Sequence, residues 1–242
     1  TIQNFDGETS GSYSLTITVG DSSVLEPLNE LTMLELSGPP LVIDTEHFRI
    51  HYTLRGADET TEAFAQEVAK TMEEIWRIQI EQQGWPAPIS DGMMGGDGRL
   101  DVYLRDLLDG DGSGALGITR PGDLFGDNPN TAAVERYASS SLIELDNDFE
   151  EIADKDYPAV RLMRATAAHE FHHAVQQGYD AADPYTWYYE ATATWMETQT
   201  FPKDQDATDY ISYNYEYPEL CFGTENDPAE GLLIYGEWTF MQ

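Results

Sequence analysis

The chain has 242 residues, 45 of them acidic against 12 basic, for a net charge of −33; such a field repels nucleic acid and anionic membrane surfaces. A 40% hydrophobic content can bury a substantial core, yet no run of about 18 apolar residues is present, so no membrane insertion is expected. The single cysteine, Cys221, excludes an internal disulfide framework.

Residues 11–20 alternate Tyr13, Leu15, Ile17 and Val19 with Ser and Thr, the period of a half-buried strand. Gly38-Pro39-Pro40 reads as a linker that divides the chain into a β segment over 1–38 and a larger domain over 39–242. A second strand is expected over 47–54, where Phe48, Ile50 and Tyr52 alternate with polar residues. Phe64, Val68, Met72, Ile75 and Ile78 then fall near helical spacing and predict a long helix from about 58 to 83, ended by Gly84 and Pro86. Three more strands are expected over 99–107, 115–119 and 139–146. Asp109, Asp111 and Ser113 place oxygen donors at alternate positions with Gly114 at the sixth, as the first half of an EF-hand loop does, but Arg120 stands where the closing glutamate belongs. Asp91, Asp97 and Asp101 surround another glycine-rich loop. Both loops are candidate Ca2+ sites, weighed against the solvated turns that an acidic chain forms in any case.

Helix signals return at 156–178: Asp156 as a cap, Pro158 in the first turn, Gly178 just past the end. Val160, Met163, Ala167, Ala174 and Val175 supply the apolar stripe. Within it, His169-Glu170-Phe171-His172-His173 reads as HExxH. Residues four apart on a helix project side by side, so His169 and His173 can grip one zinc ion, and Glu170 can take a proton from the water on it. His172, three residues from His169, is assigned to a place beside the ligands or facing solvent. The motif arises by chance in about one chain in a hundred of this length, so the third ligand carries much of the weight.

Gln176 and Tyr179 stand where a metzincin requires glycine and histidine, and no histidine follows His173. A third imidazole could come only from His47 or His51. The other route is a carboxylate on the next helix, which Asp183-Pro184 opens and Pro202 closes over 185–200. That segment contains Tyr189-Glu190-Ala191-Thr192-Ala193-Thr194 and, further on, Glu197.

HExxH followed by a glutamate-bearing helix resembles the gluzincin metallopeptidases, which include thermolysin-like endopeptidases and zinc aminopeptidases. The resemblance implies Glu190 as the third zinc ligand, 17 residues after His173. Glu197 lies two turns further, about 10 Å along the axis, too far to share the ion, and is left beside the ligands or in a structural role. Thr194 is a candidate to orient a ligating histidine. The implied fold is α+β: a mixed twisted sheet packed on the long helix and the motif helix, followed by the glutamate helix. Residues 139–146 are then the expected edge strand, where substrate backbone could add. The N-terminal strand resembles the last strand of small β-sandwich domains that sit beside secreted bacterial peptidases. The helical pattern at Met241-Gln242 carries no stop signal, as in a truncated domain.

The implied activity is hydrolysis of a protein or peptide substrate in a secreted setting, with Glu170 as general base. Tyr235 is the expected oxyanion donor by resemblance to the aminopeptidases, with Tyr179 and Tyr213 as competitors. The Gly-x-Met-x-Asn segment by which aminopeptidases hold a free amine is missing, which favours an endopeptidase. The alternative is a secreted structural or adhesive protein with a degenerate peptidase domain. Oligomeric state leaves no mark in the sequence.

Overall fold

Alternation sends Phe48, Ile50 and Tyr52 of β2 (Phe48–Tyr52) to one face of a sheet, where they are buried. The computed structural model describes residues 34–108, 114–204, 207–224 and 232–241, so the strand expected at 11–20 and the Asp109–Asp111–Ser113 loop lie outside the described residues. Around β2 stand β1 (Leu41–Asp44), β3 (Leu100–Arg105), β4 (Gly117–Gly126) and β5 (Ala138–Asp146), in the spatial order β1-β2-β3-β5-β4. β2, β3 and β5 run parallel, while β1 and β4 pair antiparallel at the two edges. Among the described residues the fold is α+β with a mixed five-stranded sheet.

One face of that sheet packs on helices. Val102, Leu104, Ile143 and Leu145 join the β2 residues against Val68, Met72 and Ile75 of α1 (Glu62–Trp76) and against Met163 and Phe171 of α2 (Ala159–Asp180). α1 begins later than the sequence suggests. Thr61 caps it by accepting from the Phe64 N–H, while Asp58 accepts instead from the N–H groups of Ser37 and Asp106. Beyond Trp76 the helix widens into a π segment, Arg77–Gln82, which turns Gln79 fully inward. There Gln79 Nε2 donates to Ala168 O at 3.0 Å and to Thr200 Oγ1 at 3.2 Å, tying α1 to both later helices.

The expected edge strand is corrected. β5 lies between β3 and β4, every one of its residues is buried, and β4 is the edge. Its Ser139, Ser141 and Glu144 suggest a half-exposed strand, but the Glu144 carboxylate is 0% exposed between Arg105, at 2.6 Å, and Arg120. A buried acid paired on both sides no longer needs water. Gly178 is also reassigned. It lies inside α2, where a Cβ would meet Asn128 Nδ2 at 2.9 Å, and the helix runs on to Asp180.

On the outer face of the sheet His51 Nε2 lies 2.7 Å from Asp101 Oδ1, and both are buried. Asp97 meets Arg49 at 2.9 Å and Arg99 at 2.5 Å. Among the described residues Asp91 meets no such cation, and its Oδ1 is buried without a hydrogen bond. Burial, then the nearby charges of Asp101 and Asp97, push its carboxyl up to about 8. Its folded-state pKa therefore lies above the unfolded value of about 3.9, so its contribution is fully present below pH ~4 and is lost as pH rises through ~8. Thermal unfolding of Asp91→Asn is expected to show a gain of roughly 1–2 kcal/mol at pH 8 over the parent and little at pH 4, after discounting for partial exposure. Equal shifts at both pH values would contradict this.

Candidate metal centre

Helical spacing brings His169 and His173 together near the middle of α2, their ring centroids 4.6 Å apart. α3 (Thr186–Thr200) packs beside them, and its buried Ala191, Ala193 and Thr194 let the two helices approach closely. This places Glu190 Oε2 3.1 Å from His169 Nε2 and 3.5 Å from His173 Nε2. The far nitrogens are held as well. Glu197 Oε1 lies 2.7 Å from His169 Nδ1, and Gln176 Oε1 lies 2.7 Å from His173 Nδ1.

The Gln176 amide decides the tautomer of His173. Its Nε2 donates to Tyr189 O at 3.0 Å and to Thr192 Oγ1 at 2.5 Å, so its Oε1 must accept from a proton on His173 Nδ1. Neutral His173 then turns the Nε2 lone pair toward a carboxylate oxygen. Two acceptors facing each other need a cation or a proton between them. The electrostatics of the ion-free cluster give the same demand. Burial opposes charge on His169, but the Glu190 and Glu197 carboxylates outweigh it and raise its pKa well above the usual value. Burial likewise opposes charge on Glu190, yet His169 and His173 hold its carboxyl far below the ordinary range.

Glu170 comes from the same turn of α2 but faces β4. Thr119 Oγ1 lies 2.6 Å from Glu170 Oε2 and 2.9 Å from Glu170 O. The strand approaches so closely that a Cβ on Gly117 would meet Glu170 Cγ at 2.6 Å and Thr166 Cγ2 at 2.8 Å. Gln177 secures this contact: its Nε2 donates to Thr119 O at 3.3 Å, and its Oε1 accepts from Ser141 at 2.7 Å. Above these groups lies a cleft of about 380 Å³ walled by Gly117 and Thr119 of β4, the two histidines, Glu190 and Tyr235.

Tyr235, on the short α5 (Leu233–Gly236), stands with its ring centroid 5.9 Å from that of His169. Burial, then the charges of Glu190 and Glu170, raise its pKa, so the phenol keeps its proton and remains a donor. Tyr179 lines a different cavity and Tyr213 lines neither. The structure thus gathers His169, Glu170, His173, Glu190 and Tyr235 around one cleft.

Other expectations change. His172 is buried rather than solvent-facing, with Nδ1 3.2 Å from Gln79 Oε1, and its pKa is lowered to about 3 by burial and then by His173 and His169. Thr194 orients no histidine; its buried hydroxyl makes no hydrogen bond, and Glu197 and Gln176 hold the rings instead. His47 is engaged by Glu73 at 2.8 Å and His51 by Asp101. Three contributors escape the sequence reading: Thr119, Gln176 and Tyr189. Gln176 carries a local signal, three residues after His173 and so on the same helical face.

Among the described residues two groups of three acids or histidines bring ligand atoms within 4.8 Å of one another: His169–Glu170–His173 and Asp146–Asp148–Glu151. The second group is built around a turn-forming acid. Asp146 Oδ1 accepts from the N–H groups of Leu107 and Leu108, and Oδ2 from those of Asp148 and Phe149. The first group contains Glu170 rather than Glu190, but Glu190 is the carboxylate that faces both Nε2 atoms, while Glu170 is turned to Thr119. No protein-family model, curated protein or solved structure matches this chain. Residues and distances therefore carry the functional argument.

Proposed function

We propose that this chain is a zinc-dependent endopeptidase, with His169, His173 and Glu190 as ligands and Glu170 as general base. The carrying observation is the pair of 3.1 and 3.5 Å separations between Glu190 Oε2 and the two imidazole Nε2 atoms. Ligands about 2.0–2.1 Å from a tetrahedral ion lie about 3.3 Å from one another. Two neutral imidazoles and one carboxylate also match the donor set of catalytic zinc sites that leave a fourth position for water. The order of elements, with a strand and long helix before the motif helix and a glutamate helix after it, supports the resemblance to gluzincins.

Zinc, when bound, would polarise the scissile carbonyl and make water a stronger acid. The protein's own groups do the rest. Thr119 holds Glu170 through Oε2 and Glu170 lines the cleft, where as general base it would take a proton from the attacking water and pass it to the departing amine. Tyr235, kept protonated, donates to the developing oxyanion. Among the described residues β4 is an edge of the sheet and lines the cleft with Gly117, Ile118 and Thr119, where an extended peptide could add as a further strand. Glu197 and Gln176 fix the rings so that both Nε2 atoms point at one place. A secreted location accords with the acidic surface.

Metal analysis and anomalous scattering at the zinc edge, combined with digestion of an unstructured protein, test the reading. One zinc per chain at His169, His173 and Glu190 with turnover supports it. Zinc without turnover points to a structural protein, and a peak elsewhere refutes the ligand set. Glu197→Gln is expected to weaken zinc binding about 10- to 100-fold, measured by competition with a chelator. Unchanged affinity would remove Glu197 from the site.

A further inference from the structure

A second cavity, of about 290 Å³, shares Tyr189 and Asp183 with the metal-centre cleft. Trp85, His172, Tyr179 and Tyr188 complete its aromatic lining, and Asp180 adds a second carboxylate. Short turns anchor both acids: Asp180 Oδ1 accepts from Ala182 N–H and Asp183 Oδ1 from Tyr185 N–H, each at 2.9 Å. Among the described residues no lysine or arginine lines this cavity to neutralise them.

Ring faces carry negative potential and attract cations. A planar guanidinium stacks on such faces while its N–H groups meet carboxylates in plane, and its charge strengthens both contacts relative to a neutral urea of the same shape. The −33 net charge adds a field that draws cations to every cleft of the molecule. The cavity's size falls at the low end of the roughly 300–1,000 Å³ range of small-molecule pockets, suited to one side chain rather than a larger ligand.

We propose that this cavity binds the cationic side chain of a polypeptide, arginine above all, and makes the adjoining cleft selective for basic peptides. The placement beside the cleft rests on the peptidase reading; the cation pocket does not. It can therefore be tested by binding alone. The protein is titrated calorimetrically with Nα-acetyl-arginine methylamide, its neutral citrulline counterpart and spermidine. The arginine amide is expected to bind at least tenfold more tightly than the citrulline amide, and Asp183→Asn or Tyr188→Ala, each checked for unchanged thermal unfolding, is expected to reduce that ratio. Equal affinity for the two amides, or binding of spermidine without the arginine amide, overturns the proposal. Peptide pairs differing by arginine against citrulline are expected to differ at least tenfold in kcat/KM. Cleavage without that preference overturns the pocket and spares the peptidase, while arginine binding without any cleavage does the reverse.

Discussion

Glu170→Gln is expected to leave zinc stoichiometry intact and to lower kcat by about 10² to 10⁴, the usual contribution of a positioned general base. Glutamine keeps the shape of the side chain and can still reach Thr119, whose hydroxyl lies 2.6 Å from Glu170 Oε2. It cannot accept the water proton. Because Glu170 is not among the proposed ligands, zinc affinity measured by chelator competition should change little while turnover of a fluorogenic peptide collapses. Loss of zinc together with activity would instead make Glu170 a ligand, as its place within 4.8 Å of both histidines permits.

The second large effect concerns stability. A ligand that binds only the folded chain stabilises it by RT ln(1 + [L]/Kd), about 4 kcal/mol at a thousandfold excess over Kd. For a chain of this size each kcal/mol moves the midpoint by about 2–4 °C, so saturating zinc is expected to raise the midpoint of the metal-stripped protein by roughly 8–16 °C. Glu190→Ala should lose most of that shift. The same variant removes the carboxylate that pairs with His169 when no ion is present, so its metal-free form should also be less stable than metal-free parent near neutral pH. Calorimetric scans of four samples, parent and variant with and without zinc, check both statements. A full zinc-induced shift in Glu190→Ala would assign the third ligand elsewhere.

Legibility in the sequence followed the range of the interactions. His169, Glu170 and His173 could be placed because helical geometry alone sets their relation, and Glu190 because the gluzincin resemblance points to an acid on the next helix. The apolar faces of β2, β3 and α1 were readable from period alone for the same reason. The sheet order was not. The resemblance implied that β5 is an edge, whereas it lies between β3 and β4, with Glu144 meeting Arg105 and Arg120 from those two strands. Thr119 was invisible as a partner of Glu170 because 51 residues separate them and β4 reaches α2 only through the fold. Gly178 misled in another way: a glycine inside a helix resembles a stop until the Asn128 side chain packed against it is seen.

The division of the centre between two successive helices has a consequence for the order in which the chain is made. A ribosome delivers residues 159–180 before residues 186–200, so the histidine pair emerges without Glu190 or Glu197. Gln176 cannot yet lean on Tyr189 and Thr192, and Tyr235 is later still. On the proposed reading, a growing chain therefore exposes its own unfolded segments, the easiest of peptide substrates, only while the cutting machinery is incomplete. Competence needs elements made after the motif helix, and on that reading the order of residues along the chain limits self-digestion during biosynthesis.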